Sequence, residues 1–461
     1  MKKESIATFL FVYFIAVVSL SLLFSSQARK VLILITFLVA LPFFIMSIPG
    51  ALLVYIGTRN LYFFLPRIPG LETIFGVGSF LLLIIILISI LSRKWTNKEL
   101  LNNKKVKAMM YIYLGLVIAT ILGDKGNLIL KGGWKVFFLL TTGLSLLIYF
   151  SFNSKKIFVY SMIILIFSSL IIGIASFESL KQGFYQSKVK DYEPSGVAYS
   201  EEVKRMGLYT AEGYALFNSN SISSFFVVSI GLLIGLLQYT KKNIYKLISI
   251  GLIIFFIIAT VNTASRTGIL GILVIAFLLF FKGSNKNKLF AIVFIVFFFL
   301  MVPVGVEERL MGTGFFEAGG RWNAFKGGFI GIIKRPIGYG FGISSREFNY
   351  ATSGSWSSVH NVYMGIGIEL GIIGLVAFLY LLYFIYKDIQ ELKIKFKNKK
   401  EFSLINGFEI AFIVYLIITI TGSIPWSQFR WVMIGMGMAI KNCFIGNEEK
   451  KLINKDRLKK P

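Results

Sequence analysis

Long apolar runs separated by short basic loops recur from residue 5 to residue 446, and they dictate most of what this chain can become. A helix crosses the roughly 30 Å hydrocarbon layer in about 20 residues. In lipid the backbone must satisfy its own hydrogen bonds, so such runs become helices. They fall near 5–24, 31–56, 74–92, 108–123, 134–152, 157–176, 221–239, 245–261, 267–281, 289–305, 361–386, 404–422 and 430–446. With 56% hydrophobic residues and only 15% charged, the composition excludes a soluble enzyme, a disordered chain and a disulfide scaffold. The expected fold is an all-α integral membrane protein, a polytopic helical bundle of about 12–14 transmembrane helices.

The net charge of +27 would suit a nucleic-acid binder, but the basic residues cluster in the short loops, as they do when a membrane protein orients itself. No nucleic-acid partner is expected; the partner is the bilayer. Loops 93–107 and 387–400 are the most basic, and with 241–246, 282–288 and the tail after Lys450 they are expected in the cytoplasm. Alternation then places 177–220, 262–266, 306–360 and 423–429 outside. Thirteen spans with a cytoplasmic C-terminus would put the basic N-terminus outside, against the same rule. Either 31–65, interrupted by Pro42 and Pro49, holds two short spans or one assignment fails. The N-terminal MKKES leads into an apolar stretch without an Ala-x-Ala-like cleavage site, which reads as a first span. Cys443 stands alone and forms no internal disulfide.

The expected organisation is N-terminal helices over 1–176, an outer loop 177–220, central helices 221–305, a large outer loop 306–360, C-terminal helices 361–446 and a basic cytoplasmic tail 447–461. Within the large loop Trp322, Phe325, Phe329, Ile332 and Ile333 share one helical face before Pro336. That spacing predicts a short amphipathic helix in the outer interface.

Seven of the twelve arginines, namely Arg205, Arg266, Arg309, Arg321, Arg335, Arg346 and Arg430, lie in or at the edge of the expected outside segments. Positive-inside sorting predicts the opposite. Guanidinium suits two-pronged recognition of phosphate, so an outer anion such as a lipid-linked pyrophosphate is the simplest cause. Headgroup snorkelling or pairing with loop carboxylates is the plainer alternative for any one of them. Arg266, in the short turn Ala264-Ser265-Arg266-Thr267-Gly268, must sit at the membrane boundary, where an ionisable group needs a partner or a task. His360 is the single histidine and stands where the outer loop re-enters the membrane. Imidazole can accept and return a proton near neutral pH. One histidine and one distant cysteine complete neither a hydrolase triad nor a zinc sphere, so no metal site is expected.

The ordered elements Ser265-Arg266-Thr267-Gly268, Gly320-Arg321-Trp322, Pro336-Ile337-Gly338-Tyr339-Gly340-Phe341-Gly342, His360-Asn361 and Gly371-Ile372-Ile373-Gly374 resemble the O-antigen ligase and polysaccharide polymerase family. Arg205-Met206-Gly207 and Asn218-Ser219-Asn220 resemble its Arg-x-Gly and Asn-Pro-Asn elements, with Ser219 in place of the proline. The resemblance is strongest over about 200–380. It implies a GT-C-like, metal-independent glycosyltransferase of the bacterial cytoplasmic membrane, requiring no cofactor. The substrate it implies is a glycan on undecaprenyl pyrophosphate, met at the outer leaflet. By the same resemblance His360 is the general base, and Arg266 and Arg321 hold the departing pyrophosphate. Arg205, Asn218, Asn220, Ser265, Gly338, Gly340, Gly342 and Asn361 would bind substrate. Tyr350 and Trp356 either stack on sugars or anchor at the interface.

A polymerase joining repeat units, with a chain-length regulator as a conceivable partner, is the expected activity. Ligation to a separate acceptor such as lipid A core is the alternative within the family. A polysaccharide flippase also fits the span count. Transporters, however, commonly gather their unusual residues at the bilayer midplane in internal repeats, whereas here those residues sit at the outer edge.

Overall fold

The computed structural model describes 103–122, 134–181, 206, 208–209, 215–217, 219–282, pieces of 288–296, 319–340, 359, 361–421 and 428–457, together with Leu52. The expected spans 5–24 and 74–92, and 31–56 apart from Leu52, lie outside the described residues. The described helices are α1 (Lys104–Leu122), α2 (Trp134–Ser151), α3 (Lys155–Lys181), α4 (Ser219–Tyr239), α5 (Asn243–Asn262), α6 (Arg266–Lys282), α7 (Gly319–Lys334), α8 (Val362–Lys395), α9 (Glu401–Ile418) and α10 (Gln428–Arg457). A two-stranded antiparallel ribbon, β1 (Leu208–Tyr209) with β2 (Ala215–Phe217), precedes α4. Segments of α3, α4, α5, α8 and α9 are long and apolar enough to cross a membrane. The protein is a polytopic helical membrane protein.

The ends of several helices differ from expectation. Helix α8 continues to Lys395 through what looked like a basic loop, and α10 continues to Arg457 through the expected tail. Their basic residues fail to stop them because lysine is a good helix former, and Lys393 and Lys441 find acidic partners.

Small residues set the centre of the bundle. Gly231 and Gly235 of α4 lie against Gly407 and Ala411 of α9; a Cβ on Gly235 would come within 2.8 Å of the Gly407 Cα. Without a hydrophobic drive between helices in lipid, close backbone approach supplies the packing. Around this pair α4 also packs on α3, α5 and α6, while α1 packs on α8 and α2 on α10. Buried Phe158, Phe226, Phe256, Phe408, Phe412 and Trp431 fill the spaces between. Hydroxyls cross between helices too: Ser229 of α4 donates to Ser169 of α3 at 2.8 Å.

The bundle has two chemically different ends. At one, Lys105 donates to Asp388 at 2.5 Å and to the Met438 carbonyl at 2.6 Å, Lys441 pairs with Glu391 at 2.7 Å, and Lys155 with Glu401 at 2.5 Å. Lys393 and Gln390 share Glu409. Lys105 and Lys393, from the two loops expected to be the most basic, both find carboxylates there. At the other end the links are hydroxyls and backbone groups, and the arginine-bearing turn lies among them.

Helix α7 bears out the expected helix before Pro336. Its Ile332 packs with Val359 and Ile368, whereas Phe329 and Ile333 face outward.

Candidate active site

The turn between α5 and α6 is built from hydrogen bonds. Ala264 takes a left-handed conformation at φ 45°, unusual for a residue with a Cβ. Ser265 caps α6, accepting the Gly268 N–H at 3.4 Å while donating to the Asn220 side-chain oxygen at 2.7 Å. Ser223, one turn further along α4, donates to Ser265 at 3.1 Å. The turn is therefore fastened to the start of α4, and Arg266 is the first residue of α6, half-buried at that end. The Met206 N–H donates to the Asn262 carbonyl at 2.9 Å, tying the residue after Arg205 to the same turn.

The start of α8 lies at this end as well. Asn361 caps it, its side chain accepting the Met364 N–H at 3.0 Å. The Val362 N–H donates to the Thr419 carbonyl at 3.0 Å, and the Tyr363 hydroxyl donates to the Leu416 carbonyl at 2.9 Å. Beyond α9, Thr421 meets Thr267 at 2.8 Å, hydroxyl to hydroxyl. The neighbours of Arg266 and of His360 are thereby joined through one short piece of chain.

Helix α8 is broken at Gly371, whose φ of 70° and ψ of −171° are not helical. The segment after α7 fills the break. Tyr339 and Gly340 donate their N–H groups to the Ile368 and Glu369 carbonyls at 2.9 and 3.1 Å, and Ile372 donates to the Pro336 carbonyl at 2.8 Å. Gly338 (φ 87°) allows this, since a Cβ there would stand 2.6 Å from the Gly371 nitrogen. Arg335 closes the corner, bonding to the Leu122 carbonyl of α1 with its guanidinium 5.4 Å from the Tyr339 ring centre.

Several expected site residues thus have visible structural work. Asn220 and Ser265 bond to each other, Asn361 caps α8, and Gly338 and Gly340 bring their backbone against α8. The close approach expected of Gly338 is made to protein backbone, a long-range pairing that local sequence cannot display. His360, Arg205, Asn218 and Gly342 lie outside the described residues. Arg321 belongs to the first turn of α7, and its side chain also lies outside them. Arg430, buried in the first turn of α10 within electrostatic reach of Tyr415 and Tyr363, is marked in the sequence only by its place among the outer arginines. Among the described residues no group of three His, Cys, Asp or Glu side chains is placed to hold a metal.

Residues 251–379 match the family model described as O-antigen ligase. The match takes in Ser265, Arg266, Arg321, Gly338, Gly340, Gly342, His360, Asn361 and the break at Gly371. No curated protein matches the chain.

Proposed function

We propose that the protein is a glycosyltransferase, a reading supported by the match of residues 251–379 to the family model described as O-antigen ligase. In this proposal it polymerises undecaprenyl-pyrophosphate-linked oligosaccharide repeats at the outer face of the cytoplasmic membrane, for O-antigen, capsule or exopolysaccharide. One observation carries it. The turn holding Arg266 and the start of α8, whose cap Asn361 follows His360 directly, are both bonded to the residues just after α9.

In the proposed reaction His360 takes the proton of the acceptor hydroxyl as its oxygen bonds to the anomeric carbon of the donor sugar. The bond from that carbon to the pyrophosphate oxygen breaks, and Arg266 and Arg321 hold the departing charge. A positioned base contributes about 10²–10⁴ in rate, and one charge-stabilising donor about 10²–10³. Asn220, Ser265 and Asn361 serve by shaping the turns, with Arg205, Asn218, Gly340 and Gly342 as further contacts for sugar or phosphate. The chemistry needs a base and cations, which these side chains supply without a metal.

The test is reconstitution of wild type and His360→Ala with undecaprenyl-pyrophosphate-linked repeats, the products sized on a gel. A ladder from wild type that the variant lacks supports the polymerase and its base. A ladder of equal strength in both removes His360 from the role. The description of the matched family favours ligation as the second reading; transfer by wild type to an added acceptor, with no self-extension of donor, would establish that instead. Donor that stays unaltered with every acceptor would overturn both.

A further inference from the structure

The end of α9 lies outside the matched stretch, yet it touches both halves of the proposed site. We propose that Thr419 and Thr421 form a clamp that fixes the turn bearing Arg266 relative to the start of α8, and that Thr421 is a positioning residue for glycosyl transfer. The proposal rests on the function argued above.

The geometry is directional. Thr421 donates its hydroxyl to the Ile418 carbonyl at 3.1 Å, which leaves its lone pairs to accept the Thr267 hydroxyl at 2.8 Å. Two residues earlier the Thr419 carbonyl accepts the Val362 N–H, and the Thr419 hydroxyl lies 3.2 Å from that of Tyr363. Thr267 and Thr419 are both buried, so water competes poorly for these bonds. Thr267 directly follows Arg266, and Val362 stands two residues after His360. A three-residue piece of chain thus ties the first turn of α6, which Arg266 opens, to the first turn of α8. Misplacement of either by about 1 Å costs up to about 10²-fold in rate.

Thr421→Val and Thr421→Ser separate positioning from packing. Valine keeps the volume and loses the hydroxyl; serine keeps the hydroxyl and loses the methyl. Both would be purified and compared with wild type for kcat, donor KM and heat stability, with Arg266→Ala and His360→Ala as controls. The expected result is a fall in kcat of about tenfold for Thr421→Val with donor KM nearly unchanged, and kcat within about twofold of wild type for Thr421→Ser. A packing role predicts the reverse order, because serine leaves the larger void. Amide exchange at Val362 and over 266–268 gives a readout without turnover, and it should quicken in Thr421→Val alone. Wild-type kcat in Thr421→Val, or equal losses in the two variants, would overturn the clamp while leaving glycosyl transfer standing. Wild-type activity in both control variants would overturn the catalytic reading and the clamp with it.

Discussion

The Pro336 carbonyl accepts the Ile372 N–H at 2.8 Å, a bond that α8 would ordinarily make within itself. In an unbroken helix Ile372 would donate to the Ile368 carbonyl, which here accepts Tyr339 instead. The segment after α7 supplies the partners that the broken turn of α8 would otherwise find within itself, as buried backbone polar groups require.

That substitution makes Gly371 hard to replace. Gly371→Ala places a Cβ against the Pro336 and Ile337 backbone at a φ of 70°. The expected cost is about 1–3 kcal/mol, seen as reduced survival of monodisperse protein after heating in detergent. Pro336→Ala, which keeps the carbonyl, should be nearly neutral. Equal losses in the two would show that the break is not what holds the segment.

At Arg266, charge and shape can be told apart. Replacement by alanine should lower kcat about 10²-fold. Arg266→Lys should recover part of that, since the charge remains while the two-pronged donor is lost. Kinetics on reconstituted protein checks this; full activity in the alanine variant would remove Arg266 from the site.

The ion pairs at the opposite end yield a stability prediction. Lys105 and Asp388 are 6% and 12% exposed at their side chains. Removing one partner strands the other charge, and Lys441, whose ammonium lies 3.5 Å from Asp388, would then repel Lys105, so Asp388→Asn should cost about 3–5 kcal/mol. Lys105→Met combined with Asp388→Leu should recover most of it, as a double-mutant cycle by thermal unfolding would show.

Helix contact offers the sharpest contrast among glycines. Gly407→Leu should force α4 and α9 apart and abolish activity far from the site, because α4 carries Asn220 and α9 leads to Thr421. Gly251→Ala, where an added Cβ meets nothing within 4 Å, should leave expression and turnover as they were.

Much of the frame was legible because hydropathy is a local property. The run expected at 221–239 is helix Ser219–Tyr239, 245–261 is Asn243–Asn262, and 267–281 is Arg266–Lys282. The break in 361–386 was not legible. Gly371 sits in an apolar run like many harmless glycines, and its partners are some thirty residues away in sequence. Lys441 made the last run look marginal, since its neutralisation by Asp388 and Glu391 depends on contacts no local window contains. Within the proposed site, the arginine and histidine positions stood out by scarcity and placement. The hydroxyl links through Thr267, Thr419 and Thr421 did not, because threonine is common in apolar helices and betrays no role until its neighbour is known.

The break in α8 also bears on how such a chain can diversify. Gly340 is fastened to the third turn of α8 and Asn361 caps its first, so the stretch between them leaves and rejoins the same helix. The described helix pairings are made by residues outside it. Closing a longer loop costs little, about 0.6 kcal/mol for each doubling of its length. The two anchors thus hold Gly340 and Asn361 at a separation that the length of chain between them does not set.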